Sequence, residues 1–449
     1  MKNLSIARSG KNKNLLVLLI LLLLFLSTLS SGFASFKEEI LRYKVRNPRV
    51  SRIIHKIIIV NKGKFTVNNL KVWIPIIRNE TPYHFAIINS ITTNHQYDFK
   101  SDPSNNTYIF WHINSMLPGE MLTAKIEYSL LSFNVWSIIN ADLVGSYSKE
   151  SPLYRSYTQP EQFIESNDPL IVETARSIAG NETNPHILAL KIADFVSKHL
   201  KYKVQDNEQG AKWALEHGEG DCSEFSYLFT ALCRACGIPA RVKAGFAFHS
   251  NVEETEFGHM WAEYYLPNYG WIPVDLTWNQ LCSQDSLHFS MLQTFPIKYP
   301  YDTVFIEYSA FPSANIEAFQ TIKISLGSIA DFENFHLAYL TYDAIHETEN
   351  VESLYFLATL MGAGIFTPED YTSLEKAIEE FDMTLQQSLE TNDLNGIQQA
   401  YAQIEYISSL AEGIIFKCGI MLTLTVLIII LIVYAVSWRR HKIEAEFIS

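Results

Sequence analysis

The chain has 449 residues, 48% of them hydrophobic and 18% charged, which is enough for two or three domains with cores of their own. Its formal net charge of −13 argues against nucleic acid as a partner, since basic residues gather only beside the two hydrophobic ends. Five cysteines, Cys222, Cys233, Cys236, Cys282 and Cys418, are too sparse for a disulfide framework.

At the N-terminus, Lys2, Arg8, Lys11 and Lys13 precede an unbroken apolar run from Leu15 to Leu26, and Gly32-Phe33-Ala34 offers a cleavage site. The run is short for a bilayer span, so residues 1–35 read as a signal peptide, with an uncleaved signal anchor as the alternative. Residues 36–150 carry strand patterns at Ile53–Val60, Val67–Ile77, Tyr83–Ile91, Thr107–Ile113 and Leu122–Leu131, separated by Asn, Asp, Pro and Gly clusters. They predict an antiparallel β-sandwich. His55, His84, His95 and His112 are scattered through it without metal-like spacing and read as structural or solvated.

Residues 151–315 are expected to form the catalytic domain. A Tyr- and Ser-rich connector leads to helices opened by Asp168-Pro169 and by Pro185. The stretch Gly220-Asp221-Cys222-Ser223-Glu224-Phe225 then starts another helix. Asp221 is placed as its cap and Glu224 as the capping-box partner, with Phe225, Leu228, Phe229, Leu232 and Cys236 on one face. After Gly237-Ile238-Pro239 come strands at Ala240–Phe248, Met260–Leu266 and Trp271–Val274. A nucleophile helix followed by strands is an α+β arrangement. Cys233 and Cys236 form a C-x-x-C, but without a second ligand pair they read as core.

Residues 316–413 are expected to be mainly helical, a stalk or docking surface ending in a helical hairpin. Residues 414–437 read as a transmembrane helix, and 438–449, with Arg439, Arg440 and Lys442, as a cytoplasmic tail. The bulk of the chain is therefore expected outside the cytoplasm, at the cell membrane. The sequons at Asn79, Asn105 and Asn181 are compatible with that side.

Three stretches carry chemistry. A thiol at a helix N-terminus feels the positive end of the dipole, which favours nucleophilic sulfur at Cys222. His259, in Gly258-His259-Met260-Trp261-Ala262-Glu263, is the candidate base, and Asp275, in Gly270-Trp271-Ile272-Pro273-Val274-Asp275, the candidate orienting acid. The Cys222 backbone N–H is a candidate oxyanion donor. Singly, such residues are more often core cysteine, structural histidine and strand-end cap. Together and in this order they form a nucleophile, a base and an acid.

These motifs, with Leu232-Cys233-Arg234-Ala235-Cys236-Gly237-Ile238-Pro239-Ala240-Arg241-Val242, resemble those of the transglutaminase-like superfamily. The resemblance runs from about 152 to 280. It implies a papain-like fold with a Cys222–His259–Asp275 triad, and the preceding sandwich resembles the β-domain that prokaryotic members often carry; no cofactor or metal is expected, because nothing in the sequence points to one, calcium included. Leu276 stands where the family usually has Pro, and Phe246 where the aromatic is often Tyr. What the resemblance implies is a cysteine enzyme that forms a thioester with protein or peptide substrates at the cell surface. The acyl acceptor, water or an amine, stays open. The rival reading is a catalytically idle binding or assembly module. An acidic loop bearing Glu253, Glu254 and Glu256 reads as a solvated loop or as one lip of a cleft, and Trp213 as core or cleft lining.

Overall fold

The structure, a computed structural model, describes residues 40–293, 305–309 and 315–448. The signal peptide or anchor expected over 1–35 lies outside them. The chain opens with strands β1 (Tyr43–Asn61), β2 (Val67–Pro75), β3 (His84–Thr93), β4 (Asp98–Ser101), β5 (Thr107–Met116) and β6 (Met121–Ser137). Helices α1 (Pro152–Tyr157), α2 (Pro169–Ala179) and α3 (Pro185–His199) follow, then the short strand β7 (Lys201–Tyr202), α4 (Ala211–His217), the short strand β8 (Glu219–Gly220) and α5 (Cys222–Ala235). Strands resume with β9 (Ala240–Ala247), β10 (Glu253–Thr255), β11 (His259–Leu266), β12 (Gly270–Asp275), β13 (Gln280–Leu281), β14 (Ser283–Gln284), β15 (His288–Gln293), β16 (Phe305–Ser309) and β17 (Ile316–Leu326). The chain ends in α6 (His336–Leu360), α7 (Ala363–Phe366), α8 (Pro368–Thr391) and α9 (Leu394–Ile448).

The fold is α+β. One sheet runs β10-β17-β1-β6-β14, with β3 also paired to β6, and a second runs β16-β2-β5-β4. On β1, Ile53, Ile57 and Ile59 are buried while Arg52, Lys56 and Ile58 are exposed, the period-2 pattern of a strand with one face in a core. The segment expected to be catalytic forms its own antiparallel sheet, β13-β12-β11-β9-β15. Helix α5 packs across β9 and β11, and α2, α3 and α4 surround it.

The expected boundary at 315/316 does not hold. Strand β16 pairs with β2, and β17 pairs with β1 from Ser51↔Leu326 to Asn61↔Ile316, so the sandwich is completed by residues beyond the catalytic sheet. The reason is legible in β17 itself: Ile322 and Ile324 are fully buried while Lys323 is exposed. The helical part starts only after this strand. The acidic loop is also a strand, because β10 adds to the free edge of β17 with Glu254 opposite Lys323.

Buried charge joins the two sheets. Lys243 on β9 has a fully buried side chain and pairs with Glu80, just before β3, and with Glu263 on β11 at 3.6 Å. Arg241 pairs with Glu263 at 2.7 Å, and Ser290 on β15 donates to Glu80. Helices α6, α8 and α9 close over the other face of the sandwich sheet. Val45, Phe85, Leu131, Phe133 and Val135 pack there with Ile345, Phe381, Leu385, Ile397 and Ile404. A second buried pair, Arg46 with Asp382 at 2.7 Å, ties β1 to α8. Helix α9 is continuous from this bundle into an apolar extension. Ile414 and Cys418 still face the bundle, so the first turn of the expected transmembrane segment belongs to the protein interior, and the exposed apolar run is Ile420–Val433.

Candidate active site

Helix α5 begins where the sequence places it. Asp221 Oδ1 accepts from Ser223 N at 3.1 Å, and Glu224 Oε2 accepts from Asp221 N at 2.9 Å, which closes the capping box. Gly220 is required there, because a Cβ on it would stand 2.3 Å from the Cβ of Glu224. The segment 203–209 wraps this helix end. Gln205 N donates to Asp221 Oδ2 and Gln209 N donates to Glu224 Oε1. Burial raises the Glu224 carboxyl to about 7. Cys222 is the first helical residue and is partly exposed, so its thiol lies at the positive end of the helix and open to a substrate.

His259 begins β11 and Asp275 ends β12, two neighbouring antiparallel strands in the register Ala262↔Val274. That register sets the two residues diagonally across the pair, within reach of each other. His259 Nε2 lies 2.5 Å from Asp275 Oδ2, and the Cys222 thiol is close enough to the same imidazole to act on its protonation. Burial pulls the imidazole down, but the Asp275 carboxylate and Cys222 outweigh it and lift His259 to about 9. Asp275 is itself buried. Burial would raise its carboxyl, yet His259 and His288 hold it far below the usual carboxylate range. Its second oxygen is fully engaged: Oδ1 accepts from Thr277 N (2.9 Å), Thr277 Oγ1 (2.7 Å) and Trp278 N (3.1 Å).

The structure thus brings Cys222, His259 and Asp275 together, and it adds a residue that the sequence reading missed. His288, on β15 and 1% exposed, sets Nε2 3.3 Å from the same Asp275 oxygen, off the line of a good hydrogen bond. Its Nδ1 lies 2.7 Å from Asp285 Oδ1. Burial lowers this imidazole, but Asp275 and Asp285 together raise it to about 9. Trp278 lies edge-on to both histidines, 5.8 Å from His259 and 4.8 Å from His288, and stacks on His249 at 4.3 Å. Tyr202, 60% exposed, has its phenol raised by burial and by the nearby Cys222, Asp221 and Asp275.

The other candidates have structural positions. Cys233 is fully buried, Cys236 Sγ contacts Ala175 O at 3.7 Å, and all five cysteines are free thiols. Trp213 stacks on His217, Trp261 is buried, and Trp271 carries Arg241 at 4.0 Å from its ring. His55 and His84 are buried and neutral, each lowered by burial to about 4. His259, Asp275 and His288 have ligand atoms close enough to hold a metal. Their shared contacts are those of two imidazoles on one carboxylate.

Residues 172–276 match the family model described as the transglutaminase-like superfamily. An uncharacterized protein of Haemophilus influenzae is 31% identical over a match that takes in 24% of this chain and 36% of that protein, so the match spans about a third of the curated relative's length. Among solved structures, a candidate cysteine protease from Cytophaga hutchinsonii aligns with 64% of this chain and 100% of its own, at 15% identity and a TM-score of 0.47. The periplasmic domain of TgpA from Pseudomonas aeruginosa aligns with 52% of this chain and 91% of its own, at 14% identity and a TM-score of 0.29. Red sea bream transglutaminase aligns with 52% and 48%, at 11% identity and a TM-score of 0.24. On the family match, the α2–β12 segment, whose motifs carry the clustered thiol, imidazole and carboxylate, is similar to the transglutaminase-like superfamily.

Proposed function

We propose that this chain is a membrane-anchored cysteine enzyme that cleaves amide bonds of proteins or peptides through a thioester on Cys222. The observation that carries the reading is the linked contact of Cys222, His259 and Asp275 at the N-terminus of α5. Asp275 accepts from His259 Nε2, which leaves Nδ1 to take the thiol proton. The sulfur of Cys222 attacks the substrate carbonyl and the C–N bond breaks. The proton held on His259 leaves with the amine, and a thioester remains. Water or a second amine then attacks the thioester and gives its proton to His259, and the thiol is restored. The Cys222 N–H, without an intrahelical partner at this position, is placed to stabilise the oxyanion. His288 acts as a positioning residue. It shares the Asp275 oxygen with His259 and keeps the carboxylate ionised.

Anchoring rests on α9, which among the described residues is the one helix long and apolar enough to cross a membrane. From Gly419 to Ser437 it rises about 28 Å at ~1.5 Å per residue, close to the ~30 Å hydrocarbon thickness. Arg439 and Arg440 follow, and positive residues on the cytoplasmic side support a cytoplasmic C-terminus with the catalytic unit on the opposite side.

The test is to incubate the full chain in detergent with glutamine-containing proteins, with and without a primary amine. Ammonia release, amine incorporation or backbone cleavage is expected, and is lost in Cys222→Ala and His259→Ala. Activity that survives Cys222→Ala, or no reaction with any acyl donor, contradicts the proposal.

A further inference from the structure

From Ser353 to Pro368 the sequence runs sixteen residues without an Asp, Glu, Lys or Arg. This stretch is the end of α6, all of α7 and the turn into α8. A helix that faces water normally carries charges on its outer face. Here the outer face is apolar and open: Ile365 is 82% exposed, Leu360 68% and Phe356 64%, and Phe416 on α9 adds 71%.

These side chains share one level of the bundle. Thr367 Oγ1 lies 3.8 Å from Cys418 Sγ, and Lys417 Nζ lies 2.5 Å from Asp370 Oδ2. A Cβ on Gly419 would meet the Met361 methyl at 3.7 Å. The tip is therefore level with residues 417–419, where α9 leaves the bundle and continues as the exposed apolar run Ile420–Val433. Apolar patch and apolar helix form one continuous surface. Just above, Tyr355 and Tyr371 stack at 5.5 Å, and tyrosine is the side chain that suits a headgroup layer.

We propose that the α6–α7–α8 tip is a membrane-interface collar, with Leu360, Ile365 and Phe416 set into the headgroup region of the bilayer that α9 crosses. The proposal rests on the reading of α9 as the anchor. Its occupant is lipid, because the patch is continuous with the span and begins where the span leaves the bundle. A second copy or another protein segment would be a different partner, and the test separates them. Two contacts, the α9 crossing and the collar, fix the tilt of the bundle. The buried Arg46–Asp382 pair passes that orientation to the sandwich.

The experiment uses the full chain in nanodiscs of phosphatidylcholine and phosphatidylglycerol. Ile365, Leu427 or exposed Asn350 is replaced, one at a time, by p-acetylphenylalanine, and a nitroxide is attached to the ketone so that the native cysteines are untouched. Power saturation then compares access of oxygen, which partitions into lipid, with access of a water-soluble nickel chelate. The collar predicts an oxygen-to-nickel ratio at 365 at least about threefold above that at 350 and below that at 427, as for a group ~5–10 Å into the interface. A ratio at 365 equal to that at 350, with 427 in lipid, overturns the collar and leaves the span standing. A label at 365 closed to both reagents means that protein covers the patch and also overturns it. Nickel access at 427 refutes the anchor itself, and the collar with it.

Discussion

Asp275→Asn is the substitution whose consequence the structure defines most fully. Three donors, Thr277 N, Thr277 Oγ1 and Trp278 N, converge on Oδ1, so the carbonyl of an asparagine must stay on that side. The amide nitrogen then occupies the place of Oδ2, 2.5 Å from His259 Nε2 and 3.3 Å from His288 Nε2 in the native arrangement. Two donors cannot face each other, so His259 must carry its proton on Nδ1, toward the thiol it should deprotonate. The base becomes a donor. The expected loss is about 10³–10⁴-fold in acylation, roughly 4–5.5 kcal/mol of barrier. The pH dependence moves as well. In the native chain His259 titrates at about 9, raised by Asp275 and Cys222 against its burial, so activity that needs the imidazolium falls as pH rises through about 9. Without the carboxylate that alkaline limb moves down by about 1–2 pH units. The assay is the burst of p-nitrophenol from p-nitrophenyl acetate between pH 6 and 10, with thermal melting to show that the variant is folded. A folded variant within tenfold of the native rate, its alkaline limb unmoved, refutes the role given to Asp275.

His288→Asn removes one of the two cations that keep Asp275 ionised, so the carboxyl rises toward its ordinary value of about 4 and, with the burst followed down to about pH 3, its acid limb moves to higher pH; an unchanged acid limb there removes His288 from the site. Lys243→Met leaves Glu80 without its buried partner, at a cost of about 3–5 kcal/mol, and the melting midpoint falls by roughly 6–10 °C; an unchanged midpoint means the pair is not the link between the two sheets. Gly245→Ala would put a Cβ 2.1 Å from Phe289 O, so β9 and β15 must part and His288 shifts with them; a variant with native melting and native burst contradicts this packing.

The parts of the site that were legible in the sequence are those set by local chemistry. Asp221 and Glu224 mark the start of α5 within four residues, and glycine-bounded stretches flank the strands that carry His259 and Asp275. His288 and Asp285 were not legible because β15 reaches the site only by pairing with β9, some forty residues earlier in the chain. A lone histidine beside Phe289, Met291 and Leu292 looks like a core residue, and the signal available was the spacing Asp285-x-x-His288 ahead of an apolar strand. The same reason hid the completion of the sandwich. The alternation in Ile316–Leu326 is clear, but its partner β1 lies more than 250 residues away, and the neighbouring helical pattern dominated the reading. The short edge pairing within the otherwise exposed acidic loop was hidden for the same reason, since β17 gives Glu253–Thr255 the edge they join.

The central claim is that Cys222 carries the acyl group. The direct measurement is to mix the full chain with an activated acyl donor, quench in acid, and map the adduct by peptide mass analysis before and after hydroxylamine. The account predicts one hydroxylamine-labile acyl group on Cys222, formed quickly in the native chain and slowly in His259→Ala, with Cys233, Cys236, Cys282 and Cys418 unmodified. Acylation spread over Cys236 and Cys282, or acylation of Cys222 at the same rate without His259, would contradict it.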